Sequence, residues 1–361
     1  MSHLPRQDVN MSIRGALGVG LSQVDLAQRI GLDRTMVAKI EAGTRRVDAL
    51  ELVRLAATLG VPIDHLLVRR PAVISHRTEL LTEDSDTDAA RTSQRLEVAL
   101  SAWLRDVRQL ADLGMIRIRP PARYDARVES EADARDAARW LRKLRNAGTR
   151  PIETLMEFAE RCGQYVLVTG LPGDGASLLD ADLAVAVVST TGDPGRRRAT
   201  AAHELGHLVL GDEYSSDLAV HRSRADREGL INAFAAELLL PGEAFAASDH
   251  APTRENLIRL AAEYRTSWSL ALRQAEQAGW VDPATRRAWN QATPTRAEFM
   301  DAVGWAPQPD LDAVRVPPGY SHAVMQAWRR DLLTGRRAVE LMHGQIGPDD
   351  LPARDEVDLT P

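Results

Sequence analysis

The chain has 361 residues, a formal net charge of −6, 44% hydrophobic and 27% charged residues, and a single cysteine, Cys162. At roughly 100–200 residues per domain, that length predicts two or three domains with room for a sizeable core. One cysteine excludes an internal disulfide framework, no apolar run approaches the roughly 18 residues of a membrane helix, and the opening MSHLPRQDVN has no signal-like stretch. A cytoplasmic protein without membrane contact is expected. Charge is unevenly spread: residues 1–70 carry 10 Arg and Lys against 7 Asp and Glu, a net +3, while the remainder carries 35 against 44, a net −9. Any nucleic-acid contact is therefore expected within the first 70 residues.

In chain order, residues 13–68 read as short helices broken at Gly31, Gly43 and Gly60. Ser22-Gln23-x-x-Leu-Ala-x-x-Ile-Gly31, followed by Leu32-Asp33-Arg-Thr-Met-Val-Ala-Lys-Ile-Glu41, has the layout of a helix-turn-helix. Gly31 falls in the tight turn, and Asp33 or its neighbour caps the second helix. Helical spacing puts Ala27, Ile30, Val37 and Ile40 inside. It leaves Arg34, Thr35, Ala38 and Lys39 on the side that a recognition helix turns toward base edges. Gln23 and Arg45 are placed to meet phosphates.

Residues 71–94, with ThrGluAspSerAspThrAsp at 82–88, read as a linker, and 95–130 as a helical connector. Ile116-Arg-Ile-Arg-Pro-Pro can be no more than an edge strand. From Pro151 a helix is followed by apolar runs at Tyr165–Val168 and Leu183–Val188, which read as two or three short strands. A helix from about Arg198 to Leu210, a polar loop over 212–227 and a helix from about Glu228 to Leu240 come next. The fold class expected is mainly α with a small β-sheet (α+β).

His203-Glu204-Leu205-Gly206-His207 is an HExxH motif lying in a predicted helix. Residues four apart share one helical face, so both imidazoles can reach one ion while Glu204 points to the side where a water would sit. That arrangement suits zinc-assisted hydrolysis with Glu204 as proton acceptor. Ala201, Ala202, Leu205, Leu208 and Val209 make the segment apolar, so the two histidines should be partly buried and need partners. A third donor must come from elsewhere. Glu228, Glu237 and Asp226 are the candidates. At 100° per residue Glu228 and Glu237 face opposite ways. Glu228 is favoured because Asn232 follows it on the same stripe, where it could bond a ligating histidine, and because Ala235 permits close approach.

The stretch from Ala132 to about Leu272 resembles an ImmA/IrrE-type metallopeptidase domain. The resemblance rests on residues 150–163, on ArgArgArgAlaThrAlaAlaHisGluLeuGlyHisLeuValLeu at 196–210 and on AsnAlaPheAlaAlaGluLeuLeuLeuPro at 232–241. It implies a zinc-dependent endopeptidase with His203, His207 and a downstream acidic residue as ligands and Glu204 as catalytic base. Leu230-Ile231 stands where that family commonly has Glu-Ala, although Glu228 keeps a Glu-x-x-x-Asn spacing. Residues 11–67 resemble the xenobiotic-response-element, or lambda-repressor, type of DNA-binding domain, down to LysIleGluAlaGlyThrArgArg and ValProIleAspHisLeuLeu.

The expected organisation is a DNA-binding domain over 11–70, a peptidase domain over 131–275 and a helical region over 276–361. The last region holds Trp280, Trp289, Trp305 and Trp328 and would close the cleft or make an oligomer contact. Expected partners are a DNA operator, a protein substrate such as a repressor or antitoxin, and a second copy in a homodimer. A metal-containing regulator without turnover is the rival reading. Tyr214, His221, Arg222 and Tyr264 are the polar candidates for oxyanion stabilisation, and Cys162 reads as a packed thiol.

Overall fold

A computed structural model of the chain describes residues 21–42, 44–59, 63, 66, 73–77, 86–211, 221–246, 251–305 and 310–354. Three short helices open it: α1 (Gln23–Ile30), α2 (Arg34–Glu41) and α3 (Ala49–Leu59). Ser22 and Asp25 form a capping box at the start of α1, and Gly31 takes φ 73° to end it. Asp33 occupies the cap position of α2, but its side chain makes no capping bond. Leu26, Ala27, Ile30, Val37, Ile40, Leu55 and Leu59 close a small core of their own.

The remaining elements build a sandwich around one sheet. They are β1 (Val73–Arg77), α4 (Asp86–Asp112), α5 (Glu131–Leu144), α6 (Leu155–Arg161), β2 (Gln164–Thr169), β3 (Gly175–Asp180), β4 (Leu183–Ser189), α7 (Pro194–Val209) and α8 (His221–Leu239), then α9 (Glu243–Ala246), α10 (Arg254–Glu263), α11 (Trp268–Gln277), α12 (Pro283–Trp289), α13 (Arg296–Val303), α14 (Pro318–Arg329) and α15 (Gly335–Leu341). The strand order is β1-β3-β4-β2, antiparallel except for the parallel β2–β4 pair. Strand alternation divides the core. Val166, Val168, Ala184, Ala186 and Val188 face α6, α7 and α8. Tyr165, Leu167, Ala176, Leu178, Val185 and Val187 face α4, α14 and α15.

Several expectations change here. The stretch 71–94 holds β1 and the first turns of α4, because Val-Ile-Ser-His-Arg is too short to show a period and is set by pairing with the distant β3. The segment expected as a connector is core-forming: Leu96, Leu100, Trp103, Val107 and Leu110 of α4 are buried against the sheet. Val98 of α4 also packs on the amino-terminal helices. Residues 116–121 form no strand. Helix α8 begins at His221, seven residues before its apolar stripe becomes legible; residues 212–220 lie outside the described residues. Helices α14 and α15 cover the sheet face opposite α7, whereas Val281, Trp289, Phe299 and Ala302 of the carboxy-terminal region join the core on the side of α7. No helix among the described residues is long and apolar enough to cross a membrane.

Two buried groups fix the start of α7. Arg198 is fully buried; one guanidinium nitrogen pairs with Asp310 and another donates to Ile152 O at 2.8 Å. Gly195 lies so close to α11 that a Cβ there would sit 2.3 Å from Ser267 N. Removing one member of a buried pair strands the other. Asp310→Ala should therefore cost about 3–5 kcal/mol in chemical denaturation, whereas a loss within error would mean that Arg198 finds other partners. Cys162 is buried against the core, and burial pushes its thiol up to about 11. The native protein should leave a thiol reagent such as DTNB unreacted at pH 8 and release one equivalent only on unfolding.

Candidate metal centre

Helices α7 and α8 cross in close contact because residue 206 has no side chain. A Cβ at Gly206 would lie 2.9 Å from Ile231 Cγ2 and 3.0 Å from Phe234 Cδ1 of α8. This approach brings Glu228 and Asn232 of α8 to the two imidazoles of α7. His203 Nε2 stands 3.1 Å from His207 Nε2 and 3.2 Å from Glu228 Oε2, and His207 Nε2 is 3.9 Å from Glu228 Oε1. Both histidines are buried, while Glu228 is one-third exposed. Asn232 Oδ1 lies 3.1 Å from His203 Nδ1. When His203 donates its Nδ1 proton there, its Nε2 presents a lone pair to the other two groups.

Among the described residues, His203, His207 and Glu228 are the group whose donor atoms converge, all within 4.8 Å of one another. Two imidazoles and a carboxylate are a donor set that zinc accepts. Ligands at about 2.0–2.1 Å from a tetrahedral ion lie about 3.3 Å apart, close to the spacings found. The residues present therefore fit such an ion. Several acceptor atoms turned toward one point are costly without a positive charge between them.

The other acidic candidates do not join this group. Glu237 is buried behind α8, where it accepts from Arg139 Nη1 at 3.1 Å, Gly242 N at 3.2 Å and Gln274 Nε2 at 3.2 Å. It ties α5, α8 and α11 together. Asp226 is exposed. Tyr264 donates its hydroxyl to Thr149 O, which is a structural bond. Tyr214 lies outside the described residues, as do the side chains of His221 and Arg222.

Glu204 points toward the sheet and is fully buried. Its Oε2 accepts a 2.6 Å hydrogen bond from Ser177 Oγ of β3, and its Oε1 has no hydrogen-bond partner among the described residues. Gln164 Nε2 of β2 donates to the Glu204 backbone carbonyl at 3.1 Å. Gly175 keeps β3 close: a Cβ there would meet Thr200 Cγ2 at 2.7 Å and Glu204 Oε1 at 3.5 Å. The sequence reading missed Ser177, Gln164 and Gly175. Strand alternation alone could have found the first, since it puts Ser177 on the face opposite Ala176 and Leu178.

In the amino-terminal helices, Arg34, Thr35 and Lys39 are exposed and Ala38 is half-buried. Two residues expected to meet phosphates have partners inside the module. Arg45 makes a paired contact with Glu51, at 2.9 Å and 2.7 Å, which pins the turn after α2 to α3. Gln23 Nε2 donates to Glu41. The Glu51 contact holds the Arg45 guanidinium firmly protonated, and it lowers the Glu51 carboxyl below its ordinary range.

If Gly206 sets the helix crossing, Gly206→Ala should push α8 outward and weaken zinc uptake by the folded protein, measured by competition with a chromogenic chelator. Unchanged affinity would mean that the crossing tolerates a methyl group.

Comparison with known families agrees with both halves of this arrangement. Residues 173–276 match the family model Peptidase_M78, described as the IrrE N-terminal-like domain, a span that runs from just before β3 almost to the end of α11. Residues 17–66 match the family model HTH_3, described as helix-turn-helix. No curated protein matches the chain. The chain thus joins an amino-terminal helix-turn-helix segment to a peptidase-family domain of the IrrE N-terminal-like type.

Proposed function

We propose that the protein is a DNA-binding regulator with zinc-dependent endopeptidase activity, acting on a repressor or antitoxin-like transcription factor. The observation that carries this reading is the convergence of His203, His207 and Glu228 beside a buried glutamate, one oxygen of which has no partner among the described residues. His203 and His207 would hold the ion through imidazole nitrogens and Glu228 through its carboxylate. Bound zinc supplies Lewis acidity and makes water a nucleophile near neutral pH.

Glu204 is the proton carrier in this reading. Ser177 occupies Oε2, so Oε1 is the atom left to take a proton from attacking water and return it to the leaving amine. Gln164 fixes the backbone that carries the carboxylate, and Asn232 orients His203. Arg34, Thr35, Ala38 and Lys39 would face an operator, and the modest charge of residues 1–70 fits a homodimer in which two copies share the phosphate contacts.

The complete burial of Glu204 favours a second reading, in which the metal stabilises or senses and no peptide is cleaved. Glu204→Gln separates the two. Under the first reading it leaves zinc content and folding intact and lowers cleavage of a protein substrate by about 10²–10⁴-fold; an unchanged regulatory phenotype in cells favours the second. Purified protein should bind about one zinc per chain, measured by elemental analysis. His203→Ala, His207→Ala and Glu228→Ala should each lose it, while Asp226→Ala retains it. In salt-titrated operator binding, Lys39→Ala should cost about 1–3 kcal/mol and relax the sequence preference more than it changes the salt slope. Arg45→Ala should instead lower the melting temperature of the amino-terminal helices with little change in that slope.

A further inference from the structure

A cavity of about 530 Å³ opens where the end of α5 meets the end of α8 and the start of α9. Arg142 and Arg139, which line it, bond Leu238 O and Glu237, about ten residues beyond Glu228 on α8, or roughly 15 Å along the helix. The cavity is thus separate from the metal centre. The chain after residue 70 is acidic, yet residues 137–152 carry five cations, Arg139, Arg142, Lys143, Arg145 and Arg150, and no Asp or Glu. Cations in the last turn of α5 complement its dipole. That role does not explain why Arg142 is buried beside a cavity. Three of its five N–H groups go to uncharged backbone carbonyls, and among the described residues no carboxylate forms an ion pair with Arg142 or Lys143. Arg139, by contrast, is held by Glu237 and Asp136. Trp140 also lines the cavity, with Tyr124 packed against its ring at 5.5 Å between centroids. Asn146 adds an amide; its carbonyl accepts from Arg150 Nη2 at 2.6 Å, and its backbone takes φ 55°. Glu243 of α9 contributes an exposed carboxylate that forms no ion pair among the described residues.

We propose that this cavity binds a nucleoside phosphate, with Lys143 and the remaining N–H groups of Arg142 on the phosphate, the Trp140 indole against the base and the Glu243 carboxylate on the ribose hydroxyls. Each wall supplies what one part of such a ligand needs. Guanidinium and ammonium groups bind phosphate oxygens through charge-assisted hydrogen bonds, aromatic rings stack on bases, and an acidic side chain accepts from the ribose diol. The Asn146 amide can donate to phosphate or pair with a base edge. The volume is that of a small-ligand site. A free inorganic anion would use the cations alone and be repelled by Glu243, and a neutral ring would leave both unpaired cations without a partner. A bound phosphate would neutralise Arg142, the residue that ties the end of α5 to the end of α8. Binding there is independent of whether the metal centre cleaves peptides.

Isothermal titration calorimetry on the full chain tests this, with the 5′-mono- and triphosphates of adenosine and guanosine as probes and adenosine, guanosine and inorganic phosphate as references. The same titrations are made on Lys143→Glu, Trp140→Leu, Asn146→Gly and Arg336→Glu, each checked for melting temperature and zinc content. Lys143 is exposed and residue 146 has a backbone that glycine adopts readily, so those two variants should fold. Arg336→Glu makes the same charge change on α15, at a side chain 90% exposed on a helix that packs on the other sheet face. At least one of the nucleotides should bind about tenfold or more tightly than its nucleoside or phosphate alone. That affinity should fall about tenfold or more in Lys143→Glu and Trp140→Leu, severalfold in Asn146→Gly and not at all in Arg336→Glu. The proposal is overturned if no nucleotide binds, or if phosphate or nucleoside alone binds as tightly, which would mean an anion site or a ring site only. It is equally overturned if Lys143→Glu and Asn146→Gly bind as well as the unaltered chain, or if Arg336→Glu weakens binding as much as Lys143→Glu.

Discussion

The close crossing of α7 and α8 at Gly206 is the constraint on which the rest of the body depends. It permits two buried imidazoles on one helix to meet a partly exposed carboxylate on the next at the margin of an apolar core, where the imidazoles need polar partners. Everything around it serves to hold that crossing. The Arg198–Asp310 pair and the Gly195–Ser267 contact anchor the start of α7, Gln164 holds its middle, and the Glu237 network locks the far end of α8.

The acids of this region sort by what they touch. Glu237 is surrounded by arginines and amide donors and balances charge within the scaffold. Glu228 faces imidazoles, and Glu204 faces a serine hydroxyl with one oxygen left over. Buried cations follow the same logic. Arg142 donates to three backbone carbonyls, of Gly148, Leu238 and Arg150, and burial pulls its guanidinium down to about 10 against the opposing charges of Tyr264, Glu237 and Glu243. It joins the end of α5 to the end of α8 through hydrogen bonds, while the ionic work is left to Glu237.

What the sequence made legible were the locally determined features. The glycine turn at Gly31, the buried stripe of Ala27, Ile30, Val37 and Ile40, and the opposed faces of Glu228 and Glu237 all follow from helical geometry. Features set by distant partners were hidden. β1 exists because β3 offers it an edge, α8 extends back through a polar stretch without an apolar stripe, and Ser177 matters only because Glu204 arrives opposite it. Arg45 illustrates the same limit: its paired contact with Glu51 of α3 depends on how the turn after α2 packs, which spacing does not show. The convergence of His203, His207 and Glu228 was readable from spacing. Its second layer of support required the fold.

The central claim is a metal held by His203, His207 and Glu228, and X-ray absorption at the zinc edge on the purified full chain tests it most directly. The account predicts back-scattering from two imidazole rings and light oxygen or nitrogen neighbours only, with one ring lost in the His207→Ala chain. A sulfur neighbour, or a spectrum unchanged by that substitution, would contradict it.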